Sequence, residues 1–317
     1  MKTQWNFSEQ GTIDSHGGKI WFGISGNRAS SETPLIVIHG GPGMSHHYLY
    51  PLSDLADKRP VIFYDQLDAG SSDQPNNPEN WHVSRFLLEV DDLRESLDLP
   101  RVAIFGNSWG GTIAAAYAAK APPGLEKLVL SSPLLNTDMW LRDNKVHREH
   151  LPEEALRVMR ECEEAGQESS QEYQNSVDIF YVRHFCRVNP WPDYVIETMN
   201  ALNETCYAGM WGPNEFTCNG LLRNYDGLAE LETIQAPTLV TCGEFDEAAP
   251  ASCQTFAKLI PDARYVEFED ASHLTFVESR EKYIQTLRQF WRINDLLRRM
   301  DRATRQPVSL RREHELD

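Results

Sequence analysis

The chain has 317 residues, of which 41% are hydrophobic and 24% charged, enough to bury one large core or two small ones. That balance excludes collagen-like, low-complexity and wholly disordered chains. The formal charge of -17, from 47 acidic against 30 basic side chains, repels phosphate backbones and anionic lipid surfaces, so neither nucleic acid nor membrane is expected as a partner.

Met1 to Gln10 contains no basic region followed by an apolar stretch, and no segment approaches the ~18 continuous apolar residues of a membrane helix. The cysteines, Cys162, Cys186, Cys206, Cys218, Cys242 and Cys253, form no C-x-x-C pair. A reduced, cytoplasmic chain is the expectation, with no feature that sets an oligomeric state.

Along the chain, short β-rich runs alternate with helix-like stretches, the pattern of a sheet with covering helices. A hairpin is expected first, with Gly11 to Ile13 and Lys19 to Ile24 turning at His16-Gly17-Gly18. Buried strands follow at Leu35–Ile38, Val61–Tyr64, Val102–Phe105 and Leu128–Leu130, then at Thr238–Thr241 and Tyr265–Phe268. Helices are expected at Val83–Leu97 and Gly110–Lys120, and a long final one from Ser279 towards Arg299. Between Asn136 and Leu231 the alternation breaks into helical segments around Glu153–Ala165, Glu172–Cys186 and Asp193–Ala208. Such a block reads as a lid over the carboxyl edge of the sheet, where open α/β sheets bind ligands. The expected fold class is therefore α/β, a mostly parallel, doubly wound sheet with an inserted helical cap. Residues 1–135 and 232–300 form the core, 136–231 the cap and 301–317 a mobile charged tail.

The strongest chemical signal is Gly106-Asn107-Ser108-Trp109-Gly110, placed between an expected strand and an expected helix. A strand-to-helix turn this tight needs small residues two positions either side of the serine, and it lifts the Ser108 hydroxyl above the sheet. It also aims the Trp109 N–H at a developing oxyanion. A serine hydroxyl needs a base held in one tautomer by a carboxylate, in the chain order serine, acid, histidine. Thr238-Leu-Val-Thr-Cys-Gly243 runs into Glu244-Phe245-Asp246, an acid just beyond a strand, and His273 lies on the loop after the last strand. Glu244, nearer its strand, is the weaker candidate acid. The loop His39-Gly40-Gly41-Pro42-Gly43 lets main chain approach a bound carbonyl, and the Gly41 N–H is assigned as second oxyanion donor. His39 is expected to brace that loop rather than react.

Taken together, His39-Gly-Gly-Pro-Gly43, Asp65-Gln66 with Gly70 and Ser72, Gly106-Asn-Ser-Trp-Gly-Gly111, Gly243-Glu-Phe-Asp246 and His273 resemble the prolyl aminopeptidase family of serine α/β-hydrolases, from about Gly11 to Trp291. The resemblance implies the α/β-hydrolase fold and release of an N-terminal residue, proline or another small or apolar one, from short peptides or amino-acid amides. Trp211-Gly-Pro-Asn-Glu-Phe216 is similar to a cap segment of the archaeal tricorn-interacting aminopeptidases. That similarity implies Glu215 and Glu247 as binders of the free α-amine. The physical logic agrees, since an ammonium distinguishes a chain end from an internal peptide and is costly to bury unpaired. Where the family has D-Q-x-G-x-G-x-S, Asp68 replaces the first glycine. Asp tolerates a positive φ better than most residues, so the change is either harmless or reshapes the pocket near the glycine loop, and it bears on substrate identity more than on fold or triad.

Trp140, Trp191, Trp211, Tyr207 and Phe216 are candidates for an apolar pocket beneath the cap. No metal-ligand spacing and no dinucleotide or Walker loop is present, His46-His47 falls on an expected loop, and the chemistry needs no cofactor or metal. The alternative to an aminopeptidase is an esterase, amidase or acyltransferase acting on a small metabolite without a free amine. A ligand-binding protein on a hydrolase scaffold is the remaining class.

Overall fold

The computed structural model describes residues 5–304, with side chains through residue 292. Eight strands, β1 (Phe7–Ser15), β2 (Gly18–Ser25), β3 (Leu35–Ile38), β4 (Val61–Tyr64), β5 (Val102–Asn107), β6 (Leu125–Ser131), β7 (Thr238–Gly243) and β8 (Ala263–Phe268), form one sheet in the order β1-β2-β4-β3-β5-β6-β7-β8. β2 pairs antiparallel with β1 and β4, and the remaining neighbours are parallel. The chain steps from β3 to β4 on one side and then to β5 on the other, so strand order reverses between β3 and β5. The crevice of an open α/β sheet lies at such a reversal.

The strands are buried on both faces, and the side-chain period of two divides them cleanly. Ile36, Ile38, Ile62, Tyr64, Ile104, Leu128 and Val240 pack with α1 (Val83–Ser96), α2 (Trp109–Ala119) and α9 (Pro250–Leu259). Leu35, Val37, Val61, Phe63, Ala103, Phe105, Val129 and Leu239 face the other way. There they meet a 3-10 segment at His46–Asp57, α10 (Thr275–Glu278) and α11 (Arg280–Thr304). His46 and His47 thus open a helical segment where a loop was expected. α11 continues past Arg299, so residues 301–304 are helical rather than part of a tail, and 305–317 lie outside the described residues.

Between β6 and β7 stand α3 (Thr137–Glu149), α4 (Glu153–Ala165), α5 (Gln171–His184), α6 (Asp193–Asn200), α7 (Glu204–Met210) and α8 (Leu228–Leu231). The two ends of this insertion are tied by an Asn136–Asp226 bridge and by Thr137 N–H to Tyr225 O, 3.0 Å. A single helix expected over Asp193–Ala208 is split. Asn203 caps α7 by accepting from Cys206 N–H, while its own N–H donates to Gly43 O at 2.9 Å. Asn competes for backbone hydrogen bonds in this way and so prefers helix starts to helix interiors.

Candidate active site

Ser108 sits between β5 and α2 at φ 55°, ψ -122°, a conformation a non-glycine residue holds only when its surroundings impose it. The crowding behind it explains the flanking glycines. A Cβ on Gly106 would lie 2.3 Å from Gly110 O, and one on Gly110 would lie 2.3 Å from Ile38 O. The Ser108 N–H donates to Ser131 O at 3.1 Å, and its carbonyl accepts from Gly111 and Leu134. Trp109 begins α2, so its N–H has no acceptor within the helix.

Beside the elbow, the glycine loop is held by a relay that the motifs alone did not reveal. Gly40 N–H donates to the Tyr48 hydroxyl at 2.6 Å, and that hydroxyl donates to Asn107 Oδ1 at 2.7 Å. Gly40 N–H is therefore engaged, and Gly41, at φ 113°, lines the cleft. His39 is buried away from the cleft. Its Nε2 accepts from Gln66 N–H at 3.0 Å and its Nδ1 donates to Gly40 O at 2.8 Å, with burial holding its pKa down at about 4. Gln66 also donates to His39 O and accepts from the Trp109 indole at 2.8 Å, linking the two loops that flank Ser108. His39 acts as the brace the sequence led one to expect, and the only sequence sign of Gln66's part in it was Asp65-Gln66 within the family pattern.

Asp246 and His273 meet across the ends of β7 and β8. His273 Nδ1 lies 2.8 Å from Asp246 Oδ1, which also accepts from Ala248 N–H, while Oδ2 accepts from Gly243 N–H and Ser132 Oγ. Both side chains are buried. The Glu244 carboxylate instead faces solvent and accepts from Asp270 N–H. The His273 loop hangs from the end of α5, through His273 N–H to His184 O and Leu274 N–H to Phe185 O.

Ser108, His273, Gly41, Glu215 and Glu247 line one cleft. Of the aromatic candidates, Trp140, Tyr207 and Trp211 line it too. Trp191 packs instead with Phe185 on the α11 side of the sheet, and Phe216 packs with Phe180 within the insertion. Met44, Leu134 and Phe185 complete an apolar wall that the sequence did not single out. Glu215 accepts from the Tyr207 hydroxyl at 2.5 Å, and burial raises its carboxyl pKa. Glu247 is buried with Oε1 unpartnered and Oε2 3.9 Å from His273 Nδ1. Burial, then the charges of Glu215 and Asp246, push its pKa well above 4.5. Two buried carboxylates facing one cleft disfavour each other's charge, and a bound positive charge would relieve that.

Asp68 adopts φ 63°, and its buried carboxylate accepts from the Trp81 indole at 2.8 Å and from Asn76 N–H at 2.7 Å. Trp81 lies against Gly209 of α7, where a Cβ would come within 2.3 Å of the indole, and Asn76 Oδ1 accepts from Asn203 at 2.9 Å. The residue that departs from the family pattern therefore supports the helix bearing Tyr207 and does not itself line the cleft. Among the described residues no group of three or more metal-ligating side chains is assembled, and no helix is long and apolar enough to cross a membrane.

A family model for the alpha/beta hydrolase fold matches residues 33–279. The proline iminopeptidase of Heyndrickxia coagulans is 37% identical over 282 residues, 89% of this chain and 98% of the relative. Among solved structures, a proline iminopeptidase of Mycobacterium smegmatis superposes with a TM-score of 0.85 at 33% identity, covering 91% of this chain and 99% of that one. VinJ gives a TM-score of 0.87, also at 33% identity, covering 90% of this chain and 98% of that one. This chain belongs to the alpha/beta hydrolase fold family and, within it, to the proline iminopeptidases.

Proposed function

We propose that this serine hydrolase releases the N-terminal residue, proline or another small apolar one, from short peptides or amino-acid amides with a free α-amine. Ser108 attacks the scissile carbonyl while His273 takes its proton, and Asp246 holds the imidazole with Nδ1–H towards the carboxylate. The oxyanion is received by the N–H groups of Trp109 and Gly41; Gly40 N–H is excluded by its bond to Tyr48. His273 then protonates the leaving amine, and water, activated by the same imidazole, hydrolyses the acyl-enzyme. Glu215 and Glu247 bind the substrate ammonium, which fixes the distance from chain end to scissile bond at one residue.

The observation that carries this reading is the pair of cleft-facing carboxylates, one with an unpartnered buried oxygen, in the cleft that Ser108 and His273 line. Fluorogenic prolyl, alanyl and leucyl amides, each free and N-acetylated, test it. Turnover of the free amides with no turnover of the acetylated ones is expected. Equal turnover of both sets would overturn amine recognition and favour an amidase or esterase of neutral metabolites.

A further inference from the structure

Ser132, just beyond β6, is buried and holds φ 50°, a left-handed conformation that disfavours a residue with a Cβ. Neither glycine nor asparagine stands here, although either would relieve the backbone. What serine supplies is a hydroxyl, and that hydroxyl lies 2.5 Å from Asp246 Oδ2 and 3.2 Å from His273 O. Both neighbours are acceptors, so the single hydroxyl proton is directed to the carboxylate, with His273 O as a weaker second acceptor. Strained backbone at a functional site is retained where the geometry it secures is used.

We propose that Ser132 is a positioning residue for the catalytic acid, acting through Asp246 on the imidazole of His273. The inference rests on the reading of Ser108, His273 and Asp246 as the reacting group. Asp246 Oδ1 orients Nδ1 of His273, while Oδ2 is fixed by Gly243 N–H and the Ser132 hydroxyl. Without the hydroxyl, Oδ2 keeps only the Gly243 N–H, and Oδ1, shared with His273, keeps the Ala248 N–H. Ser132 is itself anchored by N–H to Thr241 O at 2.7 Å, and the preceding Ser131 carbonyl receives the Ser108 N–H. The end of β6 is therefore the place where the nucleophile, the acid and the histidine loop are tied together.

Ser132→Gly separates the hydroxyl from the backbone, because glycine adopts this φ freely. The expected result is a fall in kcat of about tenfold, the effect of one hydrogen bond to a charged group. KM should stay within about twofold and the melting temperature should not fall. Ser132→Ala should show the same kcat with a lower melting temperature. In an Asp246→Asn background, Ser132→Gly should cost no further activity. Unchanged kcat in Ser132→Gly, or an equal loss in both backgrounds, would overturn the proposal. Unchanged kcat in Asp246→Asn alone would instead refute the triad reading on which it rests.

Discussion

Replacing Glu247 by Gln sets binding against stability. The carboxylate is buried, shares the cleft with Glu215, borders Asp246 and leaves Oε1 without a partner. In the free protein its charge is therefore unfavourable, and a neutral amide of the same shape should raise stability by on the order of 1 kcal/mol, or about 2–4 °C in Tm. In the complex, the same change removes a charge-assisted bond to the substrate ammonium, worth about 1.5–3 kcal/mol. That corresponds to a loss of about 10- to 100-fold in kcat/KM for a prolyl amide. A cyclopentanecarbonyl amide, which keeps the ring and lacks the nitrogen, should be cleaved about equally by both proteins. A carboxyl whose folded pKa is raised contributes stability that is complete below its unfolded value near 4.5 and is lost as pH rises through the folded value. The Gln variant should lack that decline, so its advantage in Tm should grow from about pH 4.5 upward. Equal losses on the amine and the cyclopentane substrates, or a lower Tm at pH 7, would refute the reasoning.

Ser108→Ala should abolish amide turnover, by about 10⁶-fold, while circular dichroism and Tm stay near those of the parent. Asp68→Gly leaves the buried Trp81 indole N–H and Asn76 N–H unpaired, at about 1–3 kcal/mol each, partly offset by the ease of glycine at this φ. Tm should fall and KM for prolyl amides should rise as α7 loosens, with Asp68→Asn milder in thermal-shift and kinetic assays. His184, stacked on His147, donates to Phe245 O, and burial first, then His147, lowers its pKa to about 4; His147 donates to Asp246 O and is lowered by burial. Neutral histidines of this kind contribute stability that is present above 6.5 and lost as pH falls from there towards about 4. The urea midpoint should therefore drop from pH 7 to pH 5, and a His147→Gln/His184→Gln variant should drop less.

Strand positions, the strand–turn–helix around Ser108 and the glycine loop were legible because each depends on local chemistry. Buried β-branched runs such as Leu35–Ile38 leave no other assignment, and Gly106 and Gly110 occupy positions where a Cβ would meet backbone. Element boundaries were less so. Asn203 reads as helix interior by periodicity, yet it caps α7 because Gly43, remote in sequence, offers its backbone a partner. Glu244 and Asp246 were two residues apart beyond one strand, and the sequence ranked them by placement. Their separation into solvent-facing and buried carboxylates follows from the local turn, in which Oδ2 of Asp246 accepts from Gly243 N–H.

By itself, then, the sequence determined the order of the elements along the chain and the candidates for the reacting side chains, since periodicity, turn sterics and side-chain chemistry are properties of neighbouring residues. Only tertiary structure decided what holds those groups in place. The bonds from Tyr48 to Asn107, Gln66 to Trp109, Ser132 to Asp246 and Asp68 to Trp81 join segments that meet through sheet order and helix packing. Such contacts depend on the whole fold, and no local pattern encodes them.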